Sequence, residues 1–303
     1  MACEITLLAG SEIEIVGPPD APAVAVLGGI SASRHVTESP DNPLPGWWSN
    51  FVGPRKTIDT RRFRVASIDY HASSAEAGPY SSRDHAIALC EALDAEGIGR
   101  LHAVVGASYG GTVALAFGAL EPDRADRLIV YGAAHESAPI AAAYRILQRK
   151  VVELGIRAGL EHEALVIARG LATTTYTTAE AFADRFNAAT PYERCDDIDE
   201  FLVAEGERFA SNCTPEKFLS LTRSLDLDWI DPRSIRTSTT LIGVEEDALV
   251  PVSHLRLLAD LIGANCTLEI VNSRFGHDAF LDDPSVIAPI VARVLGISPV
   301  TLS

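Results

Sequence analysis

Residues 104–111 read VVGASYGG and contain the residue of this protein that is best suited to covalent chemistry. Gly106, Ser108 and Gly110 have G-x-S-x-G spacing, after an apolar run and before a run of helical character. At such a strand–turn–helix junction the serine hydroxyl stands clear of the sheet, and the two glycines allow the strained turn. The segment predicts a nucleophilic Ser108 rather than a glycine-rich connection without chemistry.

Ser108 needs two partners, because a serine hydroxyl is a weak nucleophile without a base and an acid that orients it. Where this turn is used, the chain order is Ser, then Asp or Glu after a late strand, then His near the end. Asp247 and His277 each follow a strand pattern in that order. We predict a catalytic triad of Ser108, Asp247 and His277. Glu246 is the alternative acid, and His254, in a predicted helix, is the alternative histidine.

Backbone amides must also stabilise the oxyanion that forms when a serine attacks a carbonyl group. We expect one donor to be the N–H of Tyr109, which directly follows the predicted nucleophile. We expect the second donor in the GGIS loop at 28–31, at the N–H of Ile30. A simple turn that ends a strand at these glycines is compatible with that role.

Strand and helix patterns alternate at both ends of the chain, and helical patterns fill the middle. Strand patterns occur at 23–27, 63–69, 101–105, 127–131, 239–244 and 266–271. They predict an α/β-hydrolase fold with a mostly parallel central sheet, helices on both of its faces and an inserted helical lid. The core domain is expected at 1–132 and 236–303, and the lid at 133–235. The alternative for the middle segment is an appendage that only packs on the core.

The composition limits the classes of partner. The 303 residues carry a formal charge of −16, which disfavours nucleic acids and anionic membranes. The five cysteines are scattered, the histidines lack HxxxH spacing, and no apolar run approaches the roughly 20 residues of a membrane span. We expect no metal, no signal peptide and a cytoplasmic location. Basic clusters at 55–64 and 145–150 predict either an anion site or solvated faces.

Several further motifs resemble the homoserine O-acetyltransferase family. They are GWW at 46–48, VGP at 52–54, IDT at 58–60, QR at 148–149 and, most specific, GHDAFL at 276–281. The resemblance spans most of the chain. It implies acyl transfer from acyl-CoA to the side-chain hydroxyl of L-homoserine in methionine biosynthesis, through an acyl-serine in a ping-pong cycle. It further implies a homodimer, small-molecule substrates and no permanently bound cofactor, with acyl-CoA as a co-substrate.

The resemblance also implies an amino-acid site. Asp278 would hold the ammonium group of the substrate, Arg169 would lie near its carboxylate, and Tyr176 would lie beside Arg169. The chain departs from the family at Tyr109, where methionine is usual, and we expect this change near the acyl pocket. Acetyl and succinyl donors both remain open. So do serine or another hydroxyl compound as acceptor, and an esterase or thioesterase of the same fold.

Overall fold

The central sheet is built from short apolar segments with buried side chains. The structure is a computed structural model that describes residues 12–71, 80–188 and 190–297. Every residue of the strands Ala23–Leu27 and Ala103–Ala107 is buried, as expected for parallel strands covered on both faces. The strands are β1 (Ile13–Val16), β2 (Ala23–Leu27), β3 (Arg64–Ile68), β4 (Ala103–Ala107), β5 (Arg127–Tyr131), β6 (Ser238–Val244) and β7 (Cys266–Val271).

These strands form one sheet in the order β1-β3-β2-β4-β5-β6-β7. β1 pairs antiparallel with β3, and the other neighbours pair in parallel. The predicted, mostly parallel α/β-hydrolase sheet is confirmed, with β1 as an addition to the predicted strands. β4 is the central strand, so the residue that follows it lies between the carboxyl ends of β2 and β5, where ligands bind in such sheets.

The helices surround this sheet. They are α1 (Ser82–Ala95), α2 (Tyr109–Leu120), α3 (Pro139–Ala158), α4 (Glu161–Tyr176), α5 (Ala179–Arg185), α6 (Pro191–Ala210), α7 (Pro215–Leu227), α8 (Val252–Ile262), α9 (Ala279–Asp282) and α10 (Ala288–Val294). None of the described helices is both long and apolar enough to cross a membrane. Short 3₁₀ turns connect several of them, including one at Gly276–Asp278.

Both faces of the sheet are covered, because successive residues of a strand point to opposite sides. Ala25 and Leu27 of β2 belong to the apolar core that includes α1 and α2. Val24 and Val26 belong to a second core on the other face, which includes α10 and the aromatic side chain of Trp48. The sheet is therefore held rigidly from both sides, and its carboxyl edge is a fixed platform.

The helices α3 to α7 all lie in sequence between the neighbouring strands β5 and β6. They have a small apolar core of their own, formed by Val152, Leu165, Ala168, Phe209, Cys213 and Phe218. Three of them begin at threonines whose side chains accept the N–H three residues on: Thr178, Thr190 and Thr214. Such N-caps satisfy free amides and fix where each helix starts.

Candidate active site

Ser108 lies at the turn between β4 and α2 with φ 54° and ψ −121°, a backbone conformation that non-glycine residues rarely adopt. A Cβ on Gly106 would lie 2.2 Å from the carbonyl oxygen of Gly110, and one on Gly110 would lie 2.2 Å from that of Leu27. The turn can close only because both positions lack side chains. It aims Ser108 away from the sheet, at the N-terminus of α2.

The three residues of the predicted triad lie together. His277 Nε2 is 2.9 Å from Ser108 Oγ, and His277 Nδ1 is 2.7 Å from Asp247 Oδ2. Asp247 Oδ1 accepts the N–H groups of Leu249 at 2.8 Å and Val250 at 3.0 Å, so its carboxylate cannot rotate freely. The arrangement matches a serine nucleophile, its general base and the acid that orients the base. The catalytic roles of these residues stay predictions.

The two alternative residues occupy other positions. Glu246 accepts hydrogen bonds from Asn272 Nδ2 at 3.1 Å and from the N–H of Ser273 at 3.0 Å, which fixes the loop after β7. His254 lies in α8, as the sequence predicts, and lines a cavity beside Ser108. Geometry therefore favours Asp247 as the partner of His277.

The loop that carries His277 is fixed by a hydrogen bond from β5 and by two glycines. Tyr131 Oη donates to the carbonyl oxygen of His277 at 3.0 Å, at the end of β5. Gly132 has φ 54°, and a Cβ there would lie 3.2 Å from His277 Cε1. Gly276 also has a positive φ, of 53°. Glycine is thus needed at 132 and 276 for the imidazole to reach the serine.

The protonation of His277 reflects two opposing effects. Burial of the imidazole disfavours its charged form, but the charge of Asp247 and its hydrogen bond to Nδ1 outweigh that effect and raise the pKa of His277 above its ordinary value. A proton taken from Ser108 Oγ is therefore held more readily than by a free imidazole. This is the property that a general base in a triad requires.

Two backbone amides next to Ser108 are candidates for the oxyanion hole. Within the described residues, the N–H groups of Tyr109 and Ile30 make no hydrogen bond. Ile30 lines both cavities that border Ser108, and a Cβ on Gly29 would lie 3.7 Å from Ser108 Cβ. The loop therefore approaches the nucleophile closely. Their role as the oxyanion hole stays a prediction.

We expected the side chain of Tyr109 near the acyl pocket, but it lies elsewhere. It is fully buried in the core beneath the site. Its hydroxyl is 2.8 Å from His85 Nδ1 and 3.0 Å from Ser224 Oγ, so it joins α1 to α7. The reason is the direction of the first helical residue, whose amide faces the site while its side chain packs inward.

A cavity next to Ser108 and His277 contains the predicted amino-acid site. Its walls include Arg169, Tyr176 and Asp278, and we call it the Asp278 cavity. Arg169 Nη1 donates to Tyr176 Oη at 3.3 Å, and its guanidinium lies 5.1 Å from the centre of the Tyr176 ring. A cation and a carboxylate beside a nucleophile match the two charged groups of an α-amino acid.

The environment of the Asp278 carboxylate is suited to binding a cation. It makes no hydrogen bond to the described residues. Shielding from water raises its pKa to about 6, although the charges of His277 and Arg169 act in the opposite direction. At neutral pH the group is ionised at a cost in free energy, which an ammonium group would offset.

Comparison with known proteins places this geometry in a family. The sequence pattern of the Alpha/beta hydrolase family matches residues 40–290. A homoserine O-succinyltransferase from Xanthomonas campestris is 37% identical over 288 residues, which cover 93% of this chain and 78% of that protein. The chain belongs to the alpha/beta hydrolase family and, within it, to the homoserine O-acetyltransferase family.

Other members of the homoserine O-acetyltransferase family are similar over comparable lengths. An L-serine/homoserine O-acetyltransferase from Streptomyces lavendulae is 32% identical over 91% of this chain and 87% of its own. Two solved structures share the fold. They are a homoserine O-acetyltransferase from Bacillus anthracis (TM-score 0.82, 18% identity, 93% and 91% coverage) and esterase E22 (TM-score 0.80, 20% identity, 93% and 93% coverage).

This member of the homoserine O-acetyltransferase family has a second cavity that borders the triad. Ser108, Tyr176 and His277 line it at one end, and α3 contributes Arg145 and Gln148. We call it the Arg145 cavity. Sequence reasoning missed these two as site residues, although the QR pair at 148–149 and the basic cluster at 145–150 were signals.

A wider groove leads away from the Asp278 cavity, with which it shares Arg169 and Asp278. Three further cations line it, on α5, α6 and α7: Arg185, Arg208 and Lys217. The carboxylates of Asp69, Glu205 and Asp282 line it as well, and Arg208 donates to Glu205 at 2.8 Å. We call it the basic groove. Neither basic cluster of the sequence analysis lies in it. In the cluster at 55–64, Arg61 pairs with Asp59. In the cluster at 145–150, Arg145 and Arg149 both pair with Asp226 inside the helical segment.

Proposed function

We propose that this protein transfers an acyl group from acyl-CoA to the side-chain hydroxyl of L-homoserine. The observation that carries the proposal is one cavity that combines a triad-activated Ser108 with the opposite charges of Asp278 and Arg169. An ester alone would need neither charge, whereas an α-amino acid needs both. The names of the relatives, which include homoserine and serine O-acyltransferases, support the same reaction class.

The reaction proceeds in two halves. Ser108 Oγ attacks the thioester carbonyl while His277 Nε2 takes its proton, and the oxyanion accepts hydrogen bonds from the amides of Tyr109 and Ile30. The C–S bond then breaks, and CoA leaves as a thiol with the proton from His277. Homoserine enters, its hydroxyl gives a proton to His277, and its oxygen attacks the acyl-serine. The serine ester bond breaks, and Ser108 recovers a proton.

Transfer must outcompete hydrolysis of the acyl-serine. A hydroxyl held in position can act with an effective molarity on the order of 10⁵ M or more, which favours a fixed acceptor over water. In our proposal, Asp278 and Arg169 supply that fixation. The helices α3 to α7 act as the lid that limits the access of water. Arg169 and Tyr176 of α4 lie in the Asp278 cavity, which supports this role.

CoA is proposed to enter through the basic groove. Arg185 and Lys217, which form no ion pair with the described residues, can pair with its phosphates, and the groove continues into the Asp278 cavity. Local cations of this kind offset the overall negative charge of the chain. The acyl end of CoA then reaches Ser108 from the same side as the acceptor.

The test is a matrix of donors and acceptors with the purified protein. Acetyl-CoA, propionyl-CoA and succinyl-CoA are each combined with homoserine, serine or no acceptor, and thiol release and O-acyl product are measured. We expect homoserine to be acylated, parallel double-reciprocal lines and loss of at least 10³-fold in kcat for Ser108→Ala. Equal thiol release with and without acceptor would identify a hydrolase. If serine is acylated in preference to homoserine, the natural acceptor is serine and not homoserine. Full activity of Ser108→Ala would overturn the mechanism.

A further inference from the structure

The Arg145 cavity contains an incompletely neutralised positive charge. Arg145 Nε is 2.7 Å from Asp226 Oδ1, and Arg149 Nη2 is 2.6 Å from Asp226 Oδ2. Arg145 also donates to Ser137 Oγ. Two guanidinium groups thus share one carboxylate, and both arginine side chains are largely buried. A net positive charge with little water around it favours an anionic ligand.

Two polar groups in this cavity are available to a ligand. Among the described residues, Arg145 Nη1 makes no hydrogen bond, and neither does the side-chain amide of Gln148. Gln148 is only 4% exposed, yet it lines the cavity one helical turn from Arg145. Its side-chain amide is not among the fully enclosed polar atoms without a partner, so it is open to the cavity. Together the two side chains offer adjacent donors for one carboxylate.

The two acidic side chains of the cavity lining are engaged by other groups or exposed to solvent. Asp228 receives the N–H of Ser82 at 2.9 Å and the hydroxyl of Ser224 at 3.1 Å. Burial raises its pKa, although these hydrogen bonds act against the shift. Glu136 is exposed. His135 is buried, and burial lowers its pKa and favours the neutral ring.

The position of the cavity identifies the part of the substrate that it can take. It meets the Asp278 cavity at Ser108, Tyr176 and His277, which line both. With the amino acid in the Asp278 cavity, the acyl tail on Ser108 has the Arg145 cavity to occupy. Arg145, Ser108 and His277 all line this one cavity.

We propose that the Arg145 cavity binds the acyl tail and selects a donor whose tail ends in a carboxylate, such as succinyl-CoA. Arg145 and Gln148 would bind that carboxylate while the thioester carbonyl lies at Ser108. The inference rests on the proposed function and specifies its donor. An acetyl group would leave both donors without a partner on the substrate, so acetyl-CoA is expected to be the poorer substrate.

The test compares kcat/KM for succinyl-CoA and acetyl-CoA, with homoserine fixed, in three variants. Arg145→Met removes the cation from the cavity, Arg145→Lys keeps the charge, and Arg157→Met is the matched control. Arg157 is an exposed arginine near the carboxyl end of the same helix, α3, and it does not line the cavity. The ratio of the two kcat/KM values does not depend on the folded fraction of a variant.

We expect wild type to favour succinyl-CoA at least tenfold. Arg145→Met should lower the succinyl-to-acetyl ratio at least tenfold, Arg145→Lys should lower it less, and Arg157→Met should leave it within threefold. An unchanged ratio in Arg145→Met, or a wild-type preference for acetyl-CoA, would overturn the inference but not the proposed function. A rise in KM for homoserine with an unchanged donor ratio would assign Arg145 to the acceptor. If no acyl-CoA yields O-acylhomoserine, the proposed function itself fails.

Discussion

At the scale of the residue, the two carboxylates beside His277 differ in their hydrogen bonding. Asp247 accepts two backbone N–H groups and the imidazole, so its hydrogen-bonding capacity is met within the protein. Asp278 makes no hydrogen bond to the described residues and has a pKa raised to about 6. One group is therefore satisfied and orients the base, whereas the other is ionised at a cost and suited to a ligand.

This difference predicts the behaviour of Asp278→Asn. The variant should lose at least tenfold in kcat/KM for homoserine, because the ammonium partner is gone, while the rate of acyl-enzyme formation from acyl-CoA should change little. Rapid-quench measurement of the acyl-enzyme separates the two steps. An equal loss in both would show that Asp278 does not act on the acceptor alone.

Asp278→Asn should also stabilise the fold at high pH. The folded pKa of about 6 exceeds the ordinary value of 3.8, so ionisation of Asp278 costs no stability below pH 3.8 and its full penalty above pH 6. The variant should gain about 1–3 kcal/mol in the free energy of unfolding at pH 8. At pH 4, where folded Asp278 is protonated, urea titration should show little gain. A gain that does not depend on pH would contradict this origin.

At the scale of the element, α7 is tied to the sheet domain by a buried chain of hydrogen bonds. His85 Nε2 accepts the N–H of His71, which places the ring proton on Nδ1, from where it is donated to Tyr109 Oη. Tyr109 then donates to Ser224, which donates to Asp228. Burial lowers the pKa of His85 to about 4, so the ring stays neutral. Every donor in this series of four hydrogen bonds thus has one acceptor.

The chain predicts coupled stability effects at Tyr109 and Ser224. Tyr109→Phe and Ser224→Ala should each destabilise the protein by about 1–3 kcal/mol, because each leaves buried polar groups unpaired. The double variant should cost less than the sum of the two, by at least about 0.5 kcal/mol. Urea unfolding of the four proteins measures this difference. Strict additivity would mean that the two hydroxyls do not depend on each other.

The sequence predicted the elements that apolar patterns define. β2, β5 and β7 have the predicted bounds, and Ser108, Asp247 and His277 come together as their order along the chain implied. The helical pattern over 284–295 is in the structure a 3₁₀ turn followed by α10. In α6 the apolar helical pattern starts only at residue 198, whereas the helix begins at Pro191, after the cap at Thr190. Its first turns are exposed, so no apolar periodicity revealed them.

Other features of the site depend on directions that a pattern does not encode. The spacing at Tyr109 predicted an amide near the serine but not a side chain that points into the core. Arg145 appeared to be one of several cations on a helix, and only its pairing with Asp226 distinguishes it from a solvated arginine. β1 was missed because four alternating residues with partial burial give a weak strand signal.

At the scale of the whole molecule, α3 and α4 expose an apolar surface. The residues concerned are Ile140, Tyr144, Leu147, Leu154, Ile167 and Leu171, each at least 38% exposed. On α3 they recur at intervals of three, four and seven residues, so they share one face of the helix. A contiguous apolar surface of this kind is typical of a protein interface. We propose that it joins two copies of the chain in a homodimer.

The homodimer is expected to depend on this surface. Leu147→Asp combined with Leu154→Asp should convert the dimer to a monomer in light scattering coupled to gel filtration, because buried charges disrupt an apolar interface. Tyr192→Asp is the control, since Tyr192 is 85% exposed but lies on α6. A wild-type monomer, or equal dissociation by the control, would refute the proposed interface.

The connection between β5 and β6 has one more consequence. β5 and β6 are parallel, so the chain leaves the sheet at Tyr131, at the carboxyl edge, and re-enters it at Ser238, opposite Arg127 at the amino edge. The described residues between these strands, which include Arg145 and Arg169, contribute no strand to the sheet. The triad residues lie outside that excursion. The proposed substrate contacts of Arg145 and Arg169 can therefore change without moving the strands that precede Ser108 and Asp247, whereas Asp278 stays fixed beside His277.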